Sequence, residues 1–106
     1  LVIDAAFDFG KNTYHSLQVA RATDRLVATG WPVLCAVSNK KFVAESVGWN
    51  GDKPGRLPAT LAVTALLAWQ GARLFRAHDV LATRHALDMV TALRTGRPRT
   101  ALRGLA

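Results

Sequence analysis

The sequence predicts an α/β fold with parallel strands, and three observations carry that expectation. A short apolar run that ends in polar residues and leads into a helix-like stretch occurs three times. The runs are Leu1 to Ile3 ending at Asp4, Pro32 to Val37 ending at Ser38-Asn39-Lys40-Lys41, and Arg73 to Ala77 ending at His78-Asp79. No period-2 alternation or hairpin turn competes with this order. Half of the 106 residues are hydrophobic and three are Trp, which excludes a disordered chain and bounds it to one domain or part of one. Parallel strands need neighbours on both edges and helices on their faces, and three strands supply too few. With an opening inside an apolar run, the expectation is a fragment that depends on further strands.

After Asp4 comes the loop Ala5 to Lys11, and then Asn12 or Thr13 caps a helix expected to reach about Thr29 and stop at Gly30. Leu17, Ala20 and Val27, with Leu26 beside them, form its apolar side, while Arg21 and Asp24 fall at the margin or pair with each other. Trp31-Pro32 opens the second strand. Its end, Ser38 or Asn39, is placed to cap a short helix from Lys40 to about Val47, closed by Gly48. Trp49 to Arg56 is dense in turn formers and reads as the longest loop. Ala59 to Gln70 reads as a buried helix ended by Gly71. Beyond the third strand Asp79 caps the last helix, with Leu81, Leu87, Val90 and Leu93 expected on its inner side. Residues 1–94 are expected to form the folded part and residues 95–106 a basic, flexible tail.

The formal net charge of +7, from 14 Lys and Arg against seven Asp and Glu, favours anionic partners. Arg94, Arg97, Arg99 and Arg103 crowd the C-terminal end without an acid among them. A solvated tail is the ordinary reading of such a run and a nucleic-acid arm its rival. Trp31, Trp49 and Trp69 lack the interleaved basic pattern of a nucleic-acid surface and read as packing residues. The single cysteine, Cys35, cannot form an internal disulfide; it reads as a small buried hydrophobe and fits a reducing cytoplasm. Leu57 to Trp69, the longest mostly apolar stretch, contains Pro58 and is shorter than the roughly 20 residues a membrane span needs. His15 and His85 sit in helical patterns without metal-ligand spacing.

Three constellations at the strand ends carry chemistry. Asp4 ends an apolar strand, so its carboxylate must be met by donors. A ligand edge with two parallel N–H groups, such as an aminopyrimidine, suits its two oxygens, and bonding to its own loop is the structural alternative. Asp8 ranks lower because its loop can leave it in water. Ser38-Asn39-Lys40-Lys41 puts a hydroxyl, an amide and two ammonium groups at one place, Lys40 and Ser38 being the best positioned. Arg76 and His78, two residues apart on an extended run, point to one face, where a guanidinium fork, an imidazole N–H and the next helix start suit a phosphate or pyrophosphate. A His78-Asp79 cap pair is the alternative.

These segments resemble dihydropteroate synthase, and within it the second, divergent actinobacterial form that is described as lacking activity. The matching stretches are Ile3 to Asn12, Pro32-Val33-Leu34 with Ser38-Asn39-Lys40, Arg56-Leu57 with Thr60-Leu61-Ala62, and Phe75 to Val80, in the right order over almost the whole chain. The resemblance implies the last three βα units of a TIM (β/α)8 barrel. It implies a transferase of folate biosynthesis that joins 6-hydroxymethyl-7,8-dihydropterin pyrophosphate to 4-aminobenzoate, releasing pyrophosphate. On that pattern Asp4 and Lys40 hold the pterin, Phe9 and Ser38 lie near the aminobenzoate, and Arg76 and His78 hold the pyrophosphate. It also implies Mg²⁺, bound outside this segment, and a cytoplasmic homodimer. Two departures stand out: the active family usually has Asp-Pro-Gly where this chain has Asp4-Ala5-Ala6, and Ser-Arg-Lys where it has Ser38-Asn39-Lys40. Asn39 thus removes a cation from the side where the arylamine carboxylate must be met. The expectation is a working synthase, with two alternatives: a silent paralogue that binds the pterin pyrophosphate, and a non-enzymatic basic binding module.

Overall fold

A computed structural model of the chain describes residues 1–101; residues 102–106, including Arg103 of the basic tail, lie outside the described residues. The element order is β1 (Ile3–Asp4), α1 (Thr13–Arg21), α2 (Thr23–Val27), β2 (Val33–Cys35), α3 (Lys41–Ser46), a 3₁₀ turn (Lys53–Arg56), α4 (Leu57–Trp69), β3 (Leu74–Phe75) and α5 (Val80–Thr95). The strands form one parallel sheet in the order β1-β2-β3. Asp4 pairs with Leu34, and Leu34 with Leu74.

Alternation along β2 decides what each face of the sheet does. Val33, Cys35 and Val37 are buried against the helices, where they join Ala5, Phe7, Phe42, Val43, Leu67 and Ala72 in one core. Phe7 stacks on Phe42 with ring centroids 5.3 Å apart. Residues of the other parity, Asp4, Leu34 and Leu74 in one register row and then Ala36, Ser38, Arg76 and His78, share the opposite face. Among the described residues no helix covers that face, and Leu74 is left 41% exposed.

The expected first helix is two helices, divided at Ala22. Gln70, at the end of α4, explains the division: its Oε1 accepts the Asp24 N–H at 3.0 Å and its Nε2 donates to the Ala20 carbonyl at 3.1 Å. One side chain thereby satisfies a donor at the start of α2 and an acceptor at the end of α1. Asn12 caps α1, accepting the His15 N–H at 2.9 Å, while the His15 ring accepts the Asn12 N–H. Arg21 and Asp24 form no ion pair and lie at the exposed margin.

Other expectations need adjustment. Neither Ser38 nor Asn39 caps α3, because Asn39 turns left-handed (φ 56°) and Lys40 occupies the cap position without a side-chain bond. The stretch read as a loop from Trp49 to Arg56 contains the 3₁₀ turn, capped by Asp52 on the Gly55 N–H. Trp49 closes it by donating to the Asp52 carbonyl, and its indole lies where a Cβ on Gly55 would stand. Helix α4 is not buried all round: it buries Thr60, Thr64 and Leu67 but exposes Leu66 and Trp69, the latter under the Arg94 guanidinium at 4.8 Å. Asp79 does cap α5, accepting the Ala82 N–H at 2.9 Å. The inner side of α5 carries Thr83 and Val90, with Leu87 partly buried, whereas Leu81 and Leu93 face outward. In the basic segment Arg99 donates to Asp88 at 3.0 Å.

Candidate functional site

A cavity of about 350 Å³ opens at the carboxyl ends of β2 and β3, lined by Ala36, Ser38, Lys40, Arg76, Ala77 and His78. The sheet places these side chains: Arg76 and His78 follow β3 at a spacing of two, and Ser38 follows β2 on the same face. Ser38 and His78 are locked together. The Ser38 hydroxyl accepts the His78 backbone N–H at 3.1 Å and lies 2.9 Å from His78 Nδ1. Having accepted one N–H, the hydroxyl can give its own hydrogen to Nδ1; this tautomer, assigned from the bonding pattern, makes Nε2 the ring's donor.

Arg76 anchors its backbone on the Cys35 carbonyl at 3.2 Å, and among the described residues no carboxylate pairs with its guanidinium. Lys40 is likewise free of an acid. The cavity therefore gathers two cations, a hydroxyl and an imidazole with no carboxylate in its wall, a donor set suited to a polyanion. Cys35 lies beneath, fully buried; desolvation pushes its thiol up to about 12, with the Asp4 carboxylate adding to the shift. Its burial agrees with the small buried hydrophobe expected of it.

Asn39 is fixed through both its backbone and its side chain. Its N–H donates to Thr60 Oγ1 at 3.1 Å, Oδ1 lies 3.4 Å from the same hydroxyl, and its carbonyl accepts Arg56 Nη1 at 2.7 Å. The side chain is held toward α4, away from the cavity. Arg56 and Thr60 thus fix the Ser38-Asn39-Lys40 turn, a role that local sequence could not signal because the contact spans 21 residues in the case of Thr60.

At the β1 end Asp4 is exposed rather than buried, and its Oδ1 accepts the Ala6 N–H at 2.8 Å. The loop alternative thus accounts for one oxygen and leaves the other unassigned. Phe9 is 81% exposed on the same loop. Asp8, expected to be left in water, is tied on three sides. Its N–H donates to Ser16 Oγ, its Oδ1 accepts from that hydroxyl, and its Oδ2 accepts the Phe42 N–H. No group of three or more His, Cys, Asp or Glu comes together among the described residues.

A model of the pterin binding enzyme family matches residues 1–78. The chain belongs to the dihydropteroate synthase family. Two similar relatives, from Mycobacterium leprae and Mycobacterium tuberculosis H37Rv, are each named inactive dihydropteroate synthase 2. They are 50% and 53% identical over the whole of this chain, which covers 36% and 33% of their lengths. The Xanthomonas albilineans dihydropteroate synthase in complex with 7,8-dihydropteroate is 37% identical with a TM-score of 0.83, over 89% of this chain and 36% of that one. The chain thus spans about a third of the length of the family members it matches. Its three parallel βα units are part of the family's barrel, as expected. The expectation of a working synthase is overturned: the relatives that match the chain from end to end are named inactive.

Proposed function

We propose that the chain is the C-terminal third of a dihydropteroate synthase paralogue that binds a pterin pyrophosphate and does not carry out the condensation. The observation that carries this reading is the meeting of Lys40, Ser38, Arg76 and His78 around one acid-free cavity while Asn39 is held away from it. In this reading the Arg76 fork and His78 Nε2–H take phosphoryl oxygens, and Lys40 adds a point charge between phosphate and pterin. The free oxygen of Asp4 accepts an aminopyrimidine N–H. Phe9 and Ser38 border the space an arylamine would occupy, but without a cation from position 39 its carboxylate is unmet, so the nucleophile is not held in line. The likeness to an enzyme that holds 7,8-dihydropteroate supports a pterin pocket.

In this reading Mg²⁺, where it takes part, is held by residues beyond this segment. The proposal includes a cytoplasmic homodimer, and exposed Leu17, Val47 and Leu66, which border an apolar groove between α1, α3 and α4, support a partner there; no described helix is long and apolar enough to cross a membrane.

Calorimetry on the full-length protein tests the reading. Pterin pyrophosphate should bind, and Arg76→Ala should weaken it by about 1.5–3 kcal/mol, the loss of a charged hydrogen bond. With 4-aminobenzoate and Mg²⁺ added, no dihydropteroate should form. Unchanged affinity in Arg76→Ala, or product that disappears in Asp4→Ala, would overturn it. Loss of a strongly salt-dependent interaction on removing residues 97–103 would favour the basic nucleic-acid module instead.

A further inference from the structure

We infer that Asp8 is a positioning residue whose carboxylate fastens the loop of residues 5–11 to the first turn of α3, setting the spacing between the Asp4 and Lys40 ends of the pocket. The inference rests on the pterin-pyrophosphate reading. It starts from a gap in α3: Lys40 at the cap position makes no side-chain bond, and the first turn holds no acid of its own. The missing acceptor comes from 34 residues earlier, where Asp8 Oδ2 accepts the Phe42 N–H at 3.1 Å. A carboxylate on a helix-start amide makes a charge-assisted bond favoured by the helix dipole.

The other half of the carboxylate is also in use. Oδ1 accepts from Ser16 Oγ at 3.0 Å, and the same hydroxyl accepts the Asp8 N–H at 3.0 Å. Ser16 lies fully buried in α1, so the loop is tied at one residue to two helices. Asp8 holds φ 61° to do this, a left-handed conformation that Asp tolerates better than most residues. Lys11 completes the bracing, with Nζ donating to the Ala6 carbonyl at 3.0 Å and the Phe9 carbonyl at 3.4 Å. The loop that carries Asp4 at its root and exposed Phe9 at its tip therefore moves as one piece with α3. Arg76 and His78, in the segment that follows β3, make no bond to Asp8.

That separation makes the role testable in the full-length protein with two probes, pterin pyrophosphate and inorganic pyrophosphate. Asp8→Gly keeps the backbone conformation allowed while removing the carboxylate. It should lower pterin pyrophosphate affinity about tenfold, or about 1.4 kcal/mol, with pyrophosphate affinity lowered less and amide exchange at Phe42 accelerated. Asp8→Asn, which keeps one acceptor oxygen and tolerates the left-handed backbone, should recover most of the affinity. Unaltered Phe42 exchange in Asp8→Gly would refute the clamp. Faster exchange with unchanged pterin pyrophosphate affinity, or equal weakening of both probes, would leave Asp8 merely structural and overturn the positioning role. An unsubstituted protein that binds neither probe removes the ligand reading and the positioning role with it, while Phe42 exchange still decides the clamp.

Discussion

The hydroxyl of Ser38 meets His78 twice, at its backbone N–H (3.1 Å) and at Nδ1 of its ring (2.9 Å). One short side chain at the end of β2 thereby sets both the position and the tautomer of an imidazole 40 residues away. Ser38→Ala leaves the His78 N–H and Nδ1 without that partner in a part-buried place. The expected loss is about 1–3 kcal/mol of stability, read from denaturant unfolding of the full-length protein, with weaker pyrophosphate binding measured beside it.

Cys35 yields a pH prediction. Its folded-state thiol is raised from 9.0 to about 12, chiefly by burial. Between those values the unfolded chain loses a proton that the folded chain keeps, so the thiol's contribution to stability, fully present below pH 9, declines as pH rises toward 12. The slope approaches about 1.4 kcal/mol per pH unit. Cys35→Ala should flatten that decline, and in the native protein the thiol should resist alkylation until the chain unfolds. Rapid native alkylation at neutral pH would contradict the burial.

Ala6 stands at φ 56°, where a Cβ crowds the backbone. Relief of that strain, about 1–2 kcal/mol, is offset in Ala6→Gly by about 0.5–1 kcal/mol of added unfolded-chain entropy. The net should be a small stabilisation, visible as a higher unfolding midpoint with an unchanged denaturant slope.

Gln70→Ala removes both bonds that bridge the Ala22 break, exposing the Asp24 N–H and the Ala20 carbonyl together. A loss of about 1–3 kcal/mol is expected. Proteolytic cleavage near residue 22 should quicken as well, since the two short helices lose their splint.

The 106-residue polypeptide by itself should not unfold in a single cooperative transition as a monomer. Among the described residues its sheet has one face on the helices and the other bare, with Asp4 and Leu74 exposed there. A sharp transition, equal by calorimetric and van't Hoff enthalpies, would show that three βα units suffice.

The sequence by itself determined the three βα units, the polar strand ends and the cap at Asp79, and narrowed the cap of α1 to Asn12 or Thr13, because each of those signals acts within one turn or one alternation of the chain. Position 39 was marked by its residue type alone, as a place where a cation is missing. Only the tertiary structure decided that Asn39 leans on Thr60, that Asp8 caps α3, and that Gln70 divides the first helix; these partners stand 21, 34 and 46–50 residues apart. It also decided that Leu81 and Leu93 face outward while Thr83 and Val90 face in. Helical spacing sets which residues share a stripe, but the neighbouring helix selects the stripe that is buried. A polar side chain finds its partner in space, and the intervening chain carries no record of that distance.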